Sequence, residues 1–146
     1  MQGGFPGVFG AGGAQRDNET MKYEINYLNS GDIYIVKTTG NMTGDDFVSM
    51  AEELLNHSEW QKNNNVLFDH QNLNFDNTSL EDIDKIRNFH KKNEDRIGNG
   101  KSAIVVKSGL LSEWNKLWSQ GEKIKTGNIV KIFDDYNNAI HWIREK

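Results

Sequence analysis

The sequence predicts an α/β fold: a mixed five-stranded sheet with four helices, in the order ββαβαβαβα. Three observations carry that prediction. Apolar runs at Val66–Phe68, Ala103–Val106 and Ile129–Phe133 each precede a stretch with helical spacing, as parallel strands joined by crossover helices do. Ahead of them, Tyr23, Ile25 and Tyr27 alternate with Glu24 and Asn26, the period-two signal of a half-buried strand. The length, 146 residues, suits one domain with a single hydrophobic core.

Residues 1–20 stand apart from this pattern. Six of the first thirteen residues are glycine, the one proline is Pro6, and no charge precedes Arg16. Ordering such a segment costs more backbone entropy than it can recover, so it reads as a disordered tail or an expression scar, with Met21 as a candidate natural start. The competing reading is a native tail that docks Phe5, Val8 and Phe9. The predicted domain is 21–146.

The domain opens on a hairpin, because Asn29-Ser30-Gly31-Asp32 is turn chemistry and Ile33–Thr39 reads as the return strand. Thr43 is placed to cap a first helix, with Asp45 and Asp46 in its positive first turn. Phe47, Met50, Ala51, Leu54 and Leu55 share one face of it. Asn63-Asn64-Asn65 closes the connection, and Val66–Phe68 is the third strand. Thr78-Ser79-Leu80-Glu81 has the capping-box pattern, with Thr78 as the cap and Glu81 three residues on. The buried stripe behind it is Leu80, Ile83, Ile86 and Phe89 or His90.

Gly98 and Gly100 stop that helical region, and Ser102–Val106 is the fourth strand. Gly109 leads into a third helix with Leu110, Trp114, Leu117 and Trp118 on one side. Thr126-Gly127-Asn128 breaks the chain before the fifth strand, Ile129–Phe133. Asp134 is placed to cap the last helix, whose inner face is Tyr136, Ala139, Ile140 and Ile143. The pattern leaves the order of strands across the sheet open.

Composition excludes several functions. The net charge is −4 and Lys and Arg are scattered, whereas a nucleic-acid binder shows a basic stripe that meets phosphates. The chain has no cysteine, which excludes disulfides, thiolate nucleophiles, iron–sulfur clusters and cysteine zinc sites. No apolar run reaches the roughly 18–20 residues of a membrane span, and no signal-peptide pattern opens the chain. A cytoplasmic location is the expectation. Hydrophobic residues are only 36%, so the four Trp and seven Phe are expected to supply much of the core.

Three stretches resemble the SpoIIAA-like branch of the STAS (STAS/SEC14-like) superfamily. They are Asn65–Asp69 with the following Leu73-Asn74-Phe75-Asp76, the strand Lys101–Val106, and the ending Val130–Ile143. In that ending a strand closing in Phe133-Asp134 leads to a helix in which Ala139-Ile140 precedes Trp142-Ile143. The resemblance spans about residues 22–145 and implies a regulatory domain acting through a protein partner. In the anti-sigma factor antagonists of that family, the loop after the third strand carries a phosphorylated serine in an Asp-Ser-Ser-Gly-like motif. The corresponding stretch here is Phe75-Asp76-Asn77-Thr78-Ser79, with Asn77 at the position of the acid and no following glycine. By resemblance, Thr78 or Ser79 is the phosphate acceptor; by local chemistry, Thr78 is a helix cap.

Other candidates are weaker. Ligands in open α/β sheets bind beyond the carboxyl ends of the parallel strands. That edge gathers Asp69 and His70, Lys107 and Ser108, and Asp134 and Asp135, a set in which carboxylates would suit Mg²⁺. Asp69 and His70 are adjacent on a strand, though, so they point to opposite faces and form no automatic acid–base dyad. His57, His90 and His141 match no metal spacing, and Gly98-Asn99-Gly100-Lys101 leads into a strand where a phosphate loop would leave one. No cofactor or metal is expected. Trp114 and Trp118, one turn apart, with Trp142 on the last helix, read as core or as an apolar ligand groove. The leading expectation is a non-enzymatic binding module whose partner is a protein, with a homodimer among the options. A small apolar-ligand binder is second, and an enzyme at Asp69, His70 and Asp134 is third.

Overall fold

The structure, a computed structural model, describes residues 20–29, 32–110 and 129–145. Its strands are β1 (Lys22–Leu28), β2 (Ile33–Asn41), β3 (Asn65–Asn74), β4 (Lys101–Val105) and β5 (Ile129–Phe133). Its helices among the described residues are α1 (Gly44–Leu55), α2 (Leu80–Lys92), the single turn α3 (Glu94–Ile97) and α4 (Tyr136–Arg144). β1 pairs antiparallel with β2, from Lys22 opposite Thr39 to Leu28 opposite Ile33. From β2 onward every pairing is parallel, and the spatial order is β1-β2-β3-β4-β5. This is the mixed five-stranded α/β sheet that the sequence pattern predicts.

The two faces are covered by different helices. Successive crossovers of one hand, each moving one place along the sheet, leave α1 and α2 on the same face. There Phe47, Met50 and Leu54 of α1 and Ile83 and Ile86 of α2 pack on Tyr34, Val36, Val66, Phe68 and Ile104. On the opposite face, Ala139 and Ile143 of α4 pack on Ile33, Leu67, Ala103 and Val105. Both faces of β3 and β4 are therefore buried, which is why these strands read as continuous apolar runs and not as alternation.

Several boundaries differ from the sequence reading. β3 runs on to Asn74, through residues read as a loop. Lys37 pairs with Asp69 but Thr39 pairs with Asn72, so β3 carries one extra residue, a bulge over His70–Gln71. The bulge shifts the side-chain phase by one. Leu73 thus joins Phe68 in the α1/α2 core, although the two are an odd number of residues apart. The cap of α2 is Ser79 and not Thr78, with Asp82 rather than Glu81 closing the box. Leu80 is then the first helical residue and stands 55% exposed, outside the buried stripe. Asp135, not Asp134, caps α4 by accepting from the Asn138 amide at 2.9 Å. Thr43 caps α1 as expected, accepting from Asp46 N at 3.1 Å. The helix expected around Trp114, Leu117 and Trp118 falls outside the described residues.

Candidate functional site

The carboxyl edge of β2 and β3 is built around His70. It follows Phe68 on the α1/α2 face and is 1% exposed. Phe47, Phe68 and Phe75 surround the ring at centroid distances of 5.9, 5.7 and 6.1 Å. Its Nδ1 lies 2.7 Å from Thr38 Oγ1, and that hydroxyl also donates to the Asp69 carbonyl at 3.2 Å. Burial pushes the His70 pKa down to about 3, so the ring is neutral at physiological pH. It is a packing and hydrogen-bonding element under the loop that follows.

That loop is held from within. Asn74 Oδ1 accepts from the Asp76 amide at 2.8 Å, and the Phe75 carbonyl accepts from the Thr78 amide at 3.0 Å. Phe75 turns inward against the core, while Asp76, Asn77 and Ser79 are exposed. Thr78 is half-buried and donates its hydroxyl to the Met42 sulfur at 3.6 Å.

Asp82 fastens the loop to two helices at once. Its Oδ2 accepts from the Ser79 amide at 2.9 Å and the Ser79 hydroxyl at 3.0 Å. Its Oδ1 accepts from the amide of Gly44, the first residue of α1, at 2.8 Å. Partial burial works to raise the Asp82 pKa, but the hydrogen bonds from Ser79 and Gly44 and the charge of Lys85 hold it below the ordinary 3.8. Gly44 permits the approach, since a Cβ there would sit 2.8 Å from the Asp82 carbonyl oxygen. The amino ends of α1 and α2, both positive ends of helix dipoles, are thus joined beside an exposed loop. Sequence reading took Asp82 for part of a solvated helix face and did not single out Gly44. The signals were an acid three residues after a second possible cap, Ser79, and a glycine directly after the cap Thr43.

The other candidates are dispersed. The Asp69 carboxylate accepts from Gln71 N and Nε2 at 3.2 and 2.9 Å, while His70 faces the α1/α2 core. Asp134, Asp135, Lys107 and Ser108 are exposed. Among the described residues, no group of three or more His, Cys, Asp or Glu is placed to hold a metal ion. Trp142 lies on the α4 face, its ring 5.6 Å from Phe133 and 5.1 Å from Lys101 Nζ. Trp114 and Trp118 lie outside the described residues.

A small recess of about 30 Å³ lies between α1, α2 and the sheet. Phe47, Ala51, Trp60, Phe68, Phe89 and His90 line it. No helix among the described residues is long and apolar enough to cross a membrane.

A family model described as SpoIIAA-like matches residues 33–144. Among solved structures, the chain is similar to an uncharacterised DUF3478-family protein with a SpoIIAA-like fold from Shewanella loihica PV-4. That match has a TM-score of 0.56 and 18% identity, over 86% of this chain and 94% of the other. It is also similar to an anti-sigma factor antagonist from Mycobacterium paratuberculosis, with a TM-score of 0.59 and 9% identity, over 86% of this chain and 96% of that one. At these identities the likeness shows the shared fold. No curated protein matches the chain.

Proposed function

Because the chain belongs to the SpoIIAA-like family, we propose that it is a non-enzymatic regulatory module that binds a protein partner through the loop Phe75–Ser79 and the start of α2. One observation carries this reading: Asp76, Asn77, Ser79 and Leu80 are exposed together on a backbone pinned from both ends. A preorganised loop loses little conformational entropy on docking. Leu80, 55% exposed, supplies an apolar contact beside the polar loop. The fold is shared with a protein named as an anti-sigma factor antagonist, which supports action on another protein.

Within this reading Ser79 is the better phosphate acceptor, since its side chain is exposed whereas Thr78 is half-buried against Met42. A phosphate there would set its charge against the Asp82 carboxylate and loosen the capping box, even though a helix amino end itself favours an anion. Self-association through the same loop is the homodimeric form of this reading.

The test is a photo-crosslinking residue placed at Asn77, with a control at exposed Glu24 on β1, expressed in the source cells. A discrete adduct from position 77 that disappears with Leu80→Glu and is absent from position 24 supports the loop as the docking surface. The same adducts from both positions, or none from position 77, overturn it. An adduct of twice the chain mass identifies the partner as a second copy.

A further inference from the structure

We propose that Asn99-Gly100, in the turn between α3 and β4, is a site of spontaneous covalent modification. The Asn99 side-chain amide is lost there through a cyclic imide, which opens to aspartate or isoaspartate. The proposal is independent of the loop Phe75–Ser79 and of any partner it binds.

The turn gathers what this reaction needs. Asn99 is the one asparagine in the chain followed by glycine, so no side chain shields the attacking backbone nitrogen. It is exposed, and its side-chain amide makes no hydrogen bond among the described residues. The Gly100 N–H likewise donates to no described group, which leaves it open to the deprotonation that makes it a nucleophile. Other asparagines differ. The Asn63 and Asn65 side chains each accept a backbone N–H, and exposed Asn77 precedes the β-branched Thr78.

The fold also keeps the reactive pair in place. A Cβ at position 100 would lie 2.5 Å from the Asn64 carbonyl oxygen and 2.6 Å from that of Asn63. Close packing of the turn on the start of β3 therefore demands glycine there.

The step needs no reagent besides water. The Gly100 nitrogen gives up its proton and attacks Asn99 Cγ. The N–Cγ bond forms, the Cγ–Nδ2 bond breaks, and the amide nitrogen takes the proton and leaves as ammonia. Water opens the imide ring at Cγ to give aspartate, or at the Asn99 main-chain carbonyl to give isoaspartate.

The two products differ in their effect on the fold. Asn99 N donates to Asn63 Oδ1 at 2.7 Å, and the Gly100 carbonyl accepts from Ile129 N at 3.0 Å. Lys101 N donates to Asn65 Oδ1 at 2.9 Å. Aspartate leaves the backbone between these anchors unchanged. An isoaspartyl backbone runs through Cβ and inserts an extra carbon between them, so the turn can no longer hold all three bonds where β4 begins to pair with β5.

The experiment incubates the folded full chain at mildly alkaline and mildly acidic pH and follows it by tryptic peptide mapping. Cleavage after Arg96 and Lys101 isolates residues 97–101 as one peptide. This peptide is expected to convert before any other asparagine peptide, faster at alkaline pH, into separable aspartyl and isoaspartyl forms. Asn99→Gln should stay intact, because the longer side chain must close a larger ring. The isoaspartyl protein, purified by ion exchange, should unfold at a lower urea midpoint than the unmodified chain, while Asn99→Asp stays close to wild type. An unchanged 97–101 peptide in folded protein, earlier conversion at Asn29 or Asn77, or conversion confined to the urea-unfolded chain overturns the site. An isoaspartyl form with the unmodified midpoint overturns its structural consequence.

Discussion

His70 is a base sealed among Phe47, Phe68 and Phe75, and its environment has a direct thermodynamic consequence. Its pKa falls from 6.5 to about 3 on folding, so the unfolded chain binds a proton that the folded chain refuses. The stability this confers is complete above pH 6.5, is lost progressively as pH falls toward 3, and changes no further below that. Urea melts at pH 7, 5 and 4 should therefore show the wild type losing a few kcal/mol more than His70→Phe over this range, on the order of ~1.4 kcal/mol per pH unit at most. Parallel pH curves for the two proteins would show that His70 is not the group responsible. Asp82 titrates in another window, because its lowered carboxyl pKa costs stability only as pH falls below about 3.8.

At the scale of elements, the Asp82 carboxylate couples α2 to α1 through Gly44, a residue 38 positions away in sequence. Removing one cap costs ~0.5–2 kcal/mol, while removing a carboxylate that serves both helices also strands the Gly44 amide. Asp82→Ala is expected to cost about 2–3 kcal/mol and Ser79→Ala about 1 kcal/mol in chemical denaturation. Asp82→Asn should recover part of the loss, since an amide oxygen still accepts from one of the two amides. Equal costs for Asp82→Ala and Ser79→Ala would mean that the link to α1 contributes nothing. The surface pair between Lys85 and Asp45, at 3.2 Å, also joins these helices, but both partners are well exposed and its share is small.

Across the whole molecule, protection should follow position in the sheet. β3 and β4 have strands on both sides and helices over both faces, whereas β1 is an edge with one exposed face. Amide exchange measured by NMR should place Leu67, Phe68 and Ile104 near the global unfolding free energy, with the outward amides of β1 exchanging well before them. Equal protection of β1 and β3 would contradict this layering.

Much of the architecture was legible because burial has a local signature. Period-two alternation marks β1, apolar runs mark β3 and β4, and the spacing of Phe47, Met50, Ala51, Leu54 and Leu55 marks the inner face of α1, all of which the structure buries as read. The site was legible only in part. Phe75, Asp76, Asn77 and Ser79 could be singled out from the resemblance, but two adjacent hydroxyls, Thr78 and Ser79, offer alternative capping registers that local chemistry does not separate. Ser79 takes the cap where Asp82 can reach both its amide and Gly44.

The sequence by itself thus determined the class of fold, the existence of most elements and their inward faces, because these depend on side chains within a few residues of one another. Tertiary structure decided the strand order, the bulge at His70–Gln71, the cap of α2, the joining of the two helix ends and the recess beneath Phe89 and His90. Each of these depends on which distant surfaces meet, and contact free energies between segments tens of residues apart leave no periodic trace in the chain.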